Sequence, residues 1–305
     1  MKSALVIGLA LILIAGTAAM AEEGMGAFAG FRDGVDARAL GMGGAFVAIA
    51  DSYSASYWNP AGIALAGGPR IGGMYTNKFM AEINFNFVSG ITTIAGFAIS
   101  GTYMGITIAD IPQYDEAGNL IGTVNDNEMV IAGSFAMSIA GIGFAGGTVK
   151  SYSQTLAGES GSGFGFDAGL LIVGMVPGFS LGAAAFDIGD TRITWTTGAV
   201  DKVGAMFRLG GAYYMNGLLF AAEYDFGADI APTIRFGAEL DLDIVRIRGG
   251  LVYPQVEEAE MSFTAGAGLN LAPLYIDFAW IQLPGVLRGA EGVGDTLVLS
   301  AEFVF

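Results

Sequence analysis

Residues 218–251 read LLFAAEYDFGADIAPTIRFGAELDLDIVRIRGGL, and their side chains alternate in character over three successive segments. Segments 218–226, 234–242 and 245–251 each carry apolar residues at every second position. Most of the Arg, Asp and Glu residues of the stretch occupy the positions between. Successive side chains of a β-strand point to opposite faces, so this period of two predicts three consecutive strands.

The same alternation recurs from about residue 70 to the C-terminus. Short connections alternate with longer ones, as they do in bacterial β-barrels. We expect about 14 strands, a tight turn at 89–91, and a loop at 105–126 with a hairpin turn at 115–119. The expected strands cover about 70–77, 81–88, 92–104, 127–138, 141–153, 162–174, 177–187, 201–213, 217–226, 231–240, 243–253, 260–270, 273–281 and 295–305.

Composition narrows the function classes. The chain has 305 residues, of which 53% are apolar and 49 are glycine. Its 29 Asp and Glu against 13 Lys and Arg give a net charge of −16, which argues against a nucleic-acid partner. It contains no Cys and no His, which excludes disulfides, thiolate metal sites and histidine-dependent catalysis. We therefore expect no enzyme activity, no cofactor and no metal.

The N-terminus has the layout of an export signal. Lys2 is followed by an apolar run over 4–19 and by the small-x-small sequence Ala19-Met20-Ala21. This pattern predicts a secretory signal peptide that is cleaved after Ala21. We expect three parts: a signal peptide at 1–21, an N-terminal segment at 22–68 and a barrel at 69–305.

Two other fold classes compete with the barrel. Stretches 91–109, 129–149 and 168–186 are uncharged over the length of a membrane-spanning helix. Stretch 129–149 contains five glycines, each of which costs a helix roughly 1 kcal/mol relative to alanine. A soluble β-sandwich also alternates, but segments of ~10 residues after an export signal favour a membrane barrel. The predicted fold is an all-β transmembrane antiparallel barrel.

Residues 37–65 do not alternate and read ARALGMGGAFVAIADSYSASYWNPAGIAL. This block resembles the N-terminal region of the FadL-type outer-membrane transporters, and more closely the shorter FadL-related barrels grouped with PorV and PorQ. The resemblance implies a 14-stranded barrel whose lumen is closed by an N-terminal hatch. The residues that carry it are Gly41, Gly43, Gly44, Asn59, Pro60 and Ala61.

The resemblance also implies a function. FadL-type proteins take up hydrophobic compounds, such as long-chain fatty acids, which enter at the outer loops and leave sideways at a kink in the third strand. The third expected strand contains Gly96, Ser100 and Gly101, and glycine can open a strand ladder, although it occurs in almost every strand here. Apolar residues of the expected outer loops could form a capture groove: Ile193, Trp195, Val286 and Leu287.

Charged residues recur on the faces that we assign to the lumen. Acids and arginines on neighbouring strands can pair across the ladder. They are interpreted as an ion network that fixes the hatch to the wall, or alternatively as a selectivity lining for a polar solute. The residues of this network are Arg208, Glu223, Asp225, Arg235, Glu239, Arg246 and Arg248.

These observations place the protein in the outer membrane of a bacterium with a double-membrane envelope. Its expected partners are outer-membrane lipid and lipopolysaccharide, a hydrophobic small-molecule ligand, and the barrel-assembly machinery during biogenesis. Two other roles stay open at the level of sequence. One is a PorV-like barrel that binds exported proteins at the cell surface, and the other is a general porin.

Overall fold

The computed structural model describes residues 26–80, 83–139, 141–227, 229–256, 260–283 and 293–305, so the expected signal peptide lies outside the described residues. Within them, fourteen strands form a closed antiparallel barrel in which β1 pairs with β16 and β5 pairs with β6. Two further short strands, β8 and β9, form a hairpin beside β6. The predicted barrel of about 14 strands is confirmed. The strands are β1 (Arg70–Lys78), β2 (Ile83–Ile94), β3 (Phe97–Tyr114), β4 (Leu120–Ile139), β5 (Gly143–Leu156), β6 (Glu159–Val176), β7 (Phe179–Phe186), β8 (Thr191–Trp195), β9 (Val200–Val203), β10 (Met206–Met215), β11 (Leu218–Gly227), β12 (Thr233–Leu242), β13 (Val245–Pro254), β14 (Ser262–Leu271), β15 (Leu274–Ile281) and β16 (Thr296–Val304).

The wall has a tall half and a short half. Strands β3–β6, the tall half, have 14 to 20 residues each, whereas β10–β16, the short half, have 8 to 10. At ~3.3 Å per residue, the longest strand is about twice as long as those opposite. Most of the short turns lie at one end of the barrel, the turn end, and the longer connections lie at the other, the loop end, together with the two-residue turn between β5 and β6. The tall half therefore projects beyond the short half at the loop end.

In the short half and in β1, charge is confined to the inner face of the wall. In β1 and β10–β16 every charged side chain points inward, and the outward positions are almost all apolar. In β11, Phe220 is 48% exposed and Tyr224 41%, while Glu223 between them is 3% exposed. This alternation suits a wall that meets hydrocarbon outside, because a charge facing lipid near the bilayer midplane is unfavourable by about 2–4 kcal/mol.

Three expected features are corrected in detail. The turn expected at 89–91 is wrong: β2 runs on to Ile94, and Ala95 and Gly96 form the turn with positive φ of 50° and 84°. The strand expected over 201–213 is divided between β9 and β10. Most of the loop expected over 105–126 is strand, because β3 and β4 continue outward as a ladder. The three uncharged stretches lie mostly in strands rather than in helices, as expected.

The hairpin turn expected at 115–119 is confirmed. The Asp115 carboxylate accepts hydrogen bonds from the backbone N–H groups of Ala117 and Asn119, at 2.9 and 2.8 Å. The Asn119 side chain also donates to it, and these hydrogen bonds hold the pKa of Asp115 below its ordinary value. The turn stabilises the most distant point of the tall half.

The N-terminal segment, residues 26–69, lies inside the barrel. It contains a 3-10 helix (Ala29–Asp33) and three short helices, α1 (Ala37–Gly41), α2 (Ala55–Trp58) and α3 (Gly62–Ala66). Among the described residues, no helix has the length and apolar character needed to cross a bilayer. The segment begins at the loop end, where the Ala27 N–H donates to the Lys202 carbonyl, and it leaves at the turn end into β1. Its aromatic and aliphatic side chains form nearly half of the core.

Candidate functional site in the barrel lumen

Inward-facing glycines of the wall accommodate the backbone of the N-terminal segment. A Cβ at Gly250 would lie 2.1 Å from the Gly43 nitrogen, and one at Gly237 would lie 2.5 Å from the Met42 carbonyl oxygen. Gly266 likewise faces Gly41 at about 3 Å. These strands can approach the segment only because the three wall positions lack side chains. Part of the high glycine content is thus explained by this contact.

The Asn-Pro-Ala motif occupies a similar position on the tall half. Asn59 donates from Nδ2 to the carbonyls of Val47 and Leu170, at 2.9 and 3.0 Å, and its Oδ1 accepts the Ala61 N–H. A Cβ at Gly169 would lie 2.1 Å from Asn59 Oδ1, and one at Gly146 would lie 2.5 Å from the backbone of Pro60. The motif is a turn that fits against two glycines of β5 and β6.

Ion pairs join the segment to the short half. Arg38 makes two 2.9 Å hydrogen bonds to Glu239, which also accepts from Arg248 at 2.6 Å. The Glu223 carboxylate accepts the backbone N–H groups of Phe46 and Val47, at 2.8 and 2.7 Å. Hydrogen bonds with an ionised donor or acceptor are stronger than hydrogen bonds between neutral groups. The segment is therefore fixed along β11–β13.

Six of the seven residues expected to form an ion network lie together in this region, and one does not. Arg235 donates to Asp225 at 2.8 Å and to the Gly43 carbonyl at 3.0 Å. Arg246 instead pairs with Asp241 at the turn end, in a partly exposed bridge. The six are Arg208, Glu223, Asp225, Arg235, Glu239 and Arg248.

Arg208 is the least satisfied member of this group. It is 1% exposed, and its nearest carboxylate oxygens, on Glu223 and Asp225, are 3.6 and 3.7 Å from Nε. Nε and Nη1 have no hydrogen-bond partner among the described residues. The guanidinium carbon lies 4.7 to 5.3 Å from the ring centroids of Tyr57, Trp58 and Phe186.

The tall half contacts the segment differently. Among the described residues, its side-chain hydrogen bonds to the segment are Ser56–Thr102, at 3.0 Å, and Asn59 to the Leu170 carbonyl. Its own buried charges pair with the wall and with the β8–β9 hairpin. Lys150 bonds Asp167 and Asp187 at 2.7 and 2.8 Å, and Asp187 also accepts from Tyr152 and Thr191.

An inner cavity of about 60 Å³ lies between the segment and the tall half. One water needs roughly 10–15 Å³ on this measure, so the cavity could hold several waters or one ring-sized molecule. Most of its lining is apolar or aromatic, and Arg208 and Lys150 bring charge to it. Representative lining residues are Phe28, Phe31, Tyr57, Met104, Val130 and Phe186.

Two larger pockets lie at the ends of the lumen. A pocket of about 210 Å³ at the loop end is lined by Arg32, Lys78 and Phe85 among others. A pocket of about 310 Å³ at the turn end is lined by Arg38, Asp51 and other residues. Residues of the N-terminal segment contribute to both, so the segment lies between them.

The expected kink in the third strand is not at the predicted place. Gly96 lies in the β2–β3 turn rather than in the strand. Ser100 and Gly101 lie in a ladder that is continuous with both neighbours from Ala98 to Ile108. The register shift of β3 comes later, between Ile108 and Ile111. Glycine content alone could not locate it, since most wall glycines serve other purposes.

The expected capture groove is also corrected. Ile193 is fully buried, because β8 crosses the inner face of β6 at Gly161 and Gly163. Trp195 bonds Asp201 within the same hairpin. Val286 and Leu287 lie outside the described residues. The alternating glycines at 161, 163 and 165 were the overlooked signal that another strand packs there.

The described residues contain no group of three or more His, Cys, Asp or Glu side chains that could hold a metal ion.

No protein-family model and no curated protein matches the sequence. Solved structures do. The CymD monoaromatic hydrocarbon channel matches with a TM-score of 0.68 and 12% identity, over 90% of this chain and 98% of that one. The Pseudomonas putida toluene transporter TodX (TM-score 0.62, 14% identity) and a Pseudomonas aeruginosa FadL homologue (0.62, 13%) each match 89% of this chain and 98% of theirs.

This chain has the barrel fold of these proteins. At such identities the likeness establishes the fold and its 14-stranded closure, and no more. The neighbours are channels, a transporter and a FadL homologue rather than enzymes, which agrees with the expected non-enzymatic class. A closer relation to the PorV and PorQ barrels stays a prediction from the sequence.

Proposed function

We propose that this protein is a passive conduit for small hydrophobic molecules across the bacterial outer membrane. The observation that carries the proposal is the inner cavity, which is largely apolar and lies where the segment has fewest polar attachments. The fold shared with hydrocarbon channels supports it.

The outer surface supports the location. The charge-free outward face of β1 and β10–β16 suits a bilayer, and export by a cleaved signal peptide would bring the chain to the outer membrane. The turn end would face the periplasm and the loop end the exterior, as in bacterial barrels. Lipopolysaccharide would then surround the loop end.

The route follows from where the segment is attached. Ion pairs fix it to the short half, so a passage would open between the segment and the tall half. The segment acts as a hatch that moves by small displacements of α2 and its neighbours. The cavity suits a ring-sized solute better than a long acyl chain, so fatty acids are the less favoured substrate.

Sideways release is proposed at the edge of β6 rather than at β3. β6 pairs with β7 up to Ala168 and with β8 only at Gly161 and Ser162. Between these points the edge retains the hydrogen bond from the Ile188 N–H to the Phe166 carbonyl. Asp167 on this edge lines the inner cavity.

A disulfide lock tests the hatch. Because the chain has no native cysteine, the two introduced cysteines can pair only with each other. Ser56 Oγ and Thr102 Oγ1 are 3.0 Å apart, so the Ser56→Cys/Thr102→Cys variant would tie the segment to β3. We expect oxidation to reduce toluene permeation into proteoliposomes at least tenfold, and a reductant to restore it. The matched control is Ser134→Cys/Thr148→Cys, whose hydroxyls are 2.8 Å apart within the wall. Equal permeation in both oxidised variants would contradict the moving hatch.

A second lock tests sideways release. Ala168 and Ala185 are direct partners on β6 and β7, and Gly211 and Ala222 are direct partners on β10 and β11. Cross-linking the first pair through cysteines should slow permeation, whereas cross-linking the second should not. Unchanged permeation in the first variant would exclude this edge as the exit.

A further inference from the structure

We infer that Arg192 and Lys202 of the β8–β9 hairpin form a binding site for a phosphate group of lipid A, the lipid part of lipopolysaccharide. The inference goes beyond the conduit role and takes from the proposed function only the orientation with the loop end outside. Four observations carry it: the unpaired state of the two cations, their juxtaposition, the face and height at which they lie, and the apolar surface beside them.

The first observation is that these two cations are unpaired, unlike the others of the described chain. The described residues include eleven Lys and Arg, and eight of these form ion pairs with carboxylates. Arg32 donates to the backbone carbonyls of Gly204 and Asp229. The exposed side chains of Arg192 and Lys202 form no hydrogen bond or ion pair with any described residue. Because the chain has 29 acidic residues for 13 basic ones, two cations left without a carboxylate are available to an anion from outside the chain.

The second observation is that the two cations are neighbours. Arg192 and Lys202 are direct partners in the β8–β9 ladder, where like charges repel. The hairpin's carboxylates do not offset this repulsion: Asp190 accepts a backbone N–H at 2.9 Å and Asp201 accepts the Trp195 indole N–H at 2.7 Å. Neither of them forms an ion pair with the two cations. A phosphate can accept hydrogen bonds from both cations at once and would replace the repulsion by attraction.

The third observation is the face on which the cations lie. β8 pairs with β6 through Thr194 and Ser162, and Ser162 is exposed whereas its neighbour Gly161 is buried against the lumen. Partners in a ladder share a face, and every second residue of a strand returns to it. Arg192 and Lys202 therefore belong to the face that continues the outer surface of β6, not to the face that lines the lumen.

The height of the cations agrees with a lipid headgroup. Lys202 precedes Met206, the first residue of β10, by four positions, and β10 has 10 residues, which is about the length that spans the hydrocarbon core. At ~3.3 Å per residue, Lys202 lies no more than about 13 Å beyond the end of β10. The headgroup layer adds roughly 5–8 Å to each side of the core, and long Lys and Arg side chains can reach back to it.

The fourth observation is the apolar surface beside the cations. Phe164 and Phe166 lie on the outward face of β6, towards the turn end from Ser162, and are 69% and 54% exposed. Val200, the hairpin partner of Thr194, is 52% exposed on the same face. Cations above an exposed apolar surface fit an anionic head with acyl chains beneath it better than they fit a free phosphate. Lipopolysaccharide, whose lipid A part carries phosphates above its acyl chains, is the outer-leaflet lipid with this chemistry.

The test is native mass spectrometry of the full-length mature protein in detergent. Three lipids are titrated: diphosphorylated lipid A, the same lipid A after enzymatic removal of its phosphates, and phosphatidylglycerol. We expect diphosphorylated lipid A to bind at least about tenfold more tightly than the dephosphorylated form, because two cations each contribute to holding a phosphate. Equal binding of the two forms, or binding of phosphatidylglycerol as tight as that of lipid A, would overturn the inference.

Substitutions assign the binding to the two cations. Arg192→Gln and Lys202→Gln should each weaken binding of diphosphorylated lipid A about fivefold, and the double variant about 25-fold. Arg192→Lys/Lys202→Arg keeps both charges and should retain binding. The matched control is Arg246→Gln, which removes one positive charge at the turn end and should bind as the native protein does. Folding of each variant is checked by heat-modifiable migration. An equal loss in Arg192→Gln and Arg246→Gln, or unchanged binding in the double variant, would contradict the site.

The outcome is separable from that of the conduit experiment, because lipid binding is measured in detergent and needs no permeation. Lipid A binding that depends on Arg192 and Lys202, with permeation that the Ser56/Thr102 lock does not alter, would reject the moving hatch and keep the site. Permeation that the lock controls, without a preference for phosphorylated lipid A, would keep the conduit and reject the site.

Discussion

The tall and short halves of the wall hold the same segment by different means. The short half uses charge: Arg38, Glu239 and Arg248 form a buried cluster, and Glu223 caps two backbone N–H groups. The tall half uses the Ser56–Thr102 hydroxyl pair, the hydrogen bond from the Asn59 amide, and apolar surface. The segment is thus held by buried ion pairs on one side and by few polar contacts on the other.

The energies of the two kinds of contact explain the difference. Removing one partner of a buried ion pair costs about 3–5 kcal/mol, because the other charge is left buried and unpaired. A neutral hydrogen bond contributes only about 0.5–1.5 kcal/mol. The following changes either break this asymmetry or measure it.

The largest effect is expected for Glu239→Ala. The change leaves Arg38 and Arg248 without their shared carboxylate, although Arg38 keeps Asp51 and Arg248 keeps Asp277. We expect a loss of about 3–5 kcal/mol in the free energy of unfolding, because three hydrogen bonds to a buried carboxylate are lost and each contributes about 1.5–3 kcal/mol. Trypsin should then cleave at Arg38 in the folded barrel, and planar bilayers should show a higher steady conductance than with the native protein.

The matched control is Asp241→Ala, on the same strand as Glu239, which breaks the partly exposed pair with Arg246 of β13. Exposed pairs contribute about 0–1 kcal/mol, so trypsin sensitivity and conductance should stay native. Similar behaviour of the two variants would contradict the inference that the short-half cluster anchors the segment.

The next effect is expected for Gly169→Ala in the tall half. Its Cβ would lie 2.1 Å from Asn59 Oδ1 and 2.9 Å from Pro60, so the Asn-Pro-Ala turn must shift. Overpacking of this kind costs about 1–3 kcal/mol, which urea unfolding would measure. Gly133→Ala, whose Cβ meets nothing within 4 Å, should be nearly neutral. A neutral Gly169→Ala would show that the turn is not closely fitted.

A smaller effect is expected for Asp187→Asn. The amide keeps the shape but weakens the bond to Lys150 that helps to hold the β8–β9 hairpin inward. We expect faster tryptic cleavage at Arg192 and Lys202, with little change in barrel stability because Lys150 retains Asp167. Asp201→Asn, which alters only the hairpin's own bond to Trp195, serves as the control. No difference between the two would mean that the hairpin is held by packing alone.

The smallest effect is expected for Ser56→Ala, which removes the hydroxyl pair with Thr102. Thr102 retains its bond to Ser89, so stability should fall by less than about 1 kcal/mol. Permeation of toluene should nevertheless rise about twofold, since the segment loses one of its few attachments to the tall half. A fall in permeation would reverse the assignment of the displaceable side.

Much of the barrel could be predicted from the sequence because alternation and connection length are local properties. Fourteen strands and the hairpin turn at Asp115–Asn119 came from these signals. Which face of β2 points into the lumen could not be predicted in the same way. Its Phe85 and Phe87 point inward to pack on Phe31 and Tyr53, so an apolar face here marks the filled lumen and not the lipid.

The candidate site depended on contacts that are distant in sequence. The arginines and acids of β10–β13 were identified as a network, but the sequence could not show that Arg208 is short of partners. That state depends on where the Tyr57–Trp58 pair of the segment comes to lie. Ile193 was expected at the surface because a single strand does not reveal the strand that crosses it.

The position of the N-terminal segment also constrains the order of assembly. The segment contacts β3–β6 and β10–β16, and it continues directly into β1, which forms the closing seam with β16. Threading Gly26 through a finished barrel would drag Arg38 and its companions along a path with no partners. Folding of the wall around the segment avoids this. The β1–β16 pairing is thus expected to form last, and the N-terminal segment serves as the core around which the wall folds.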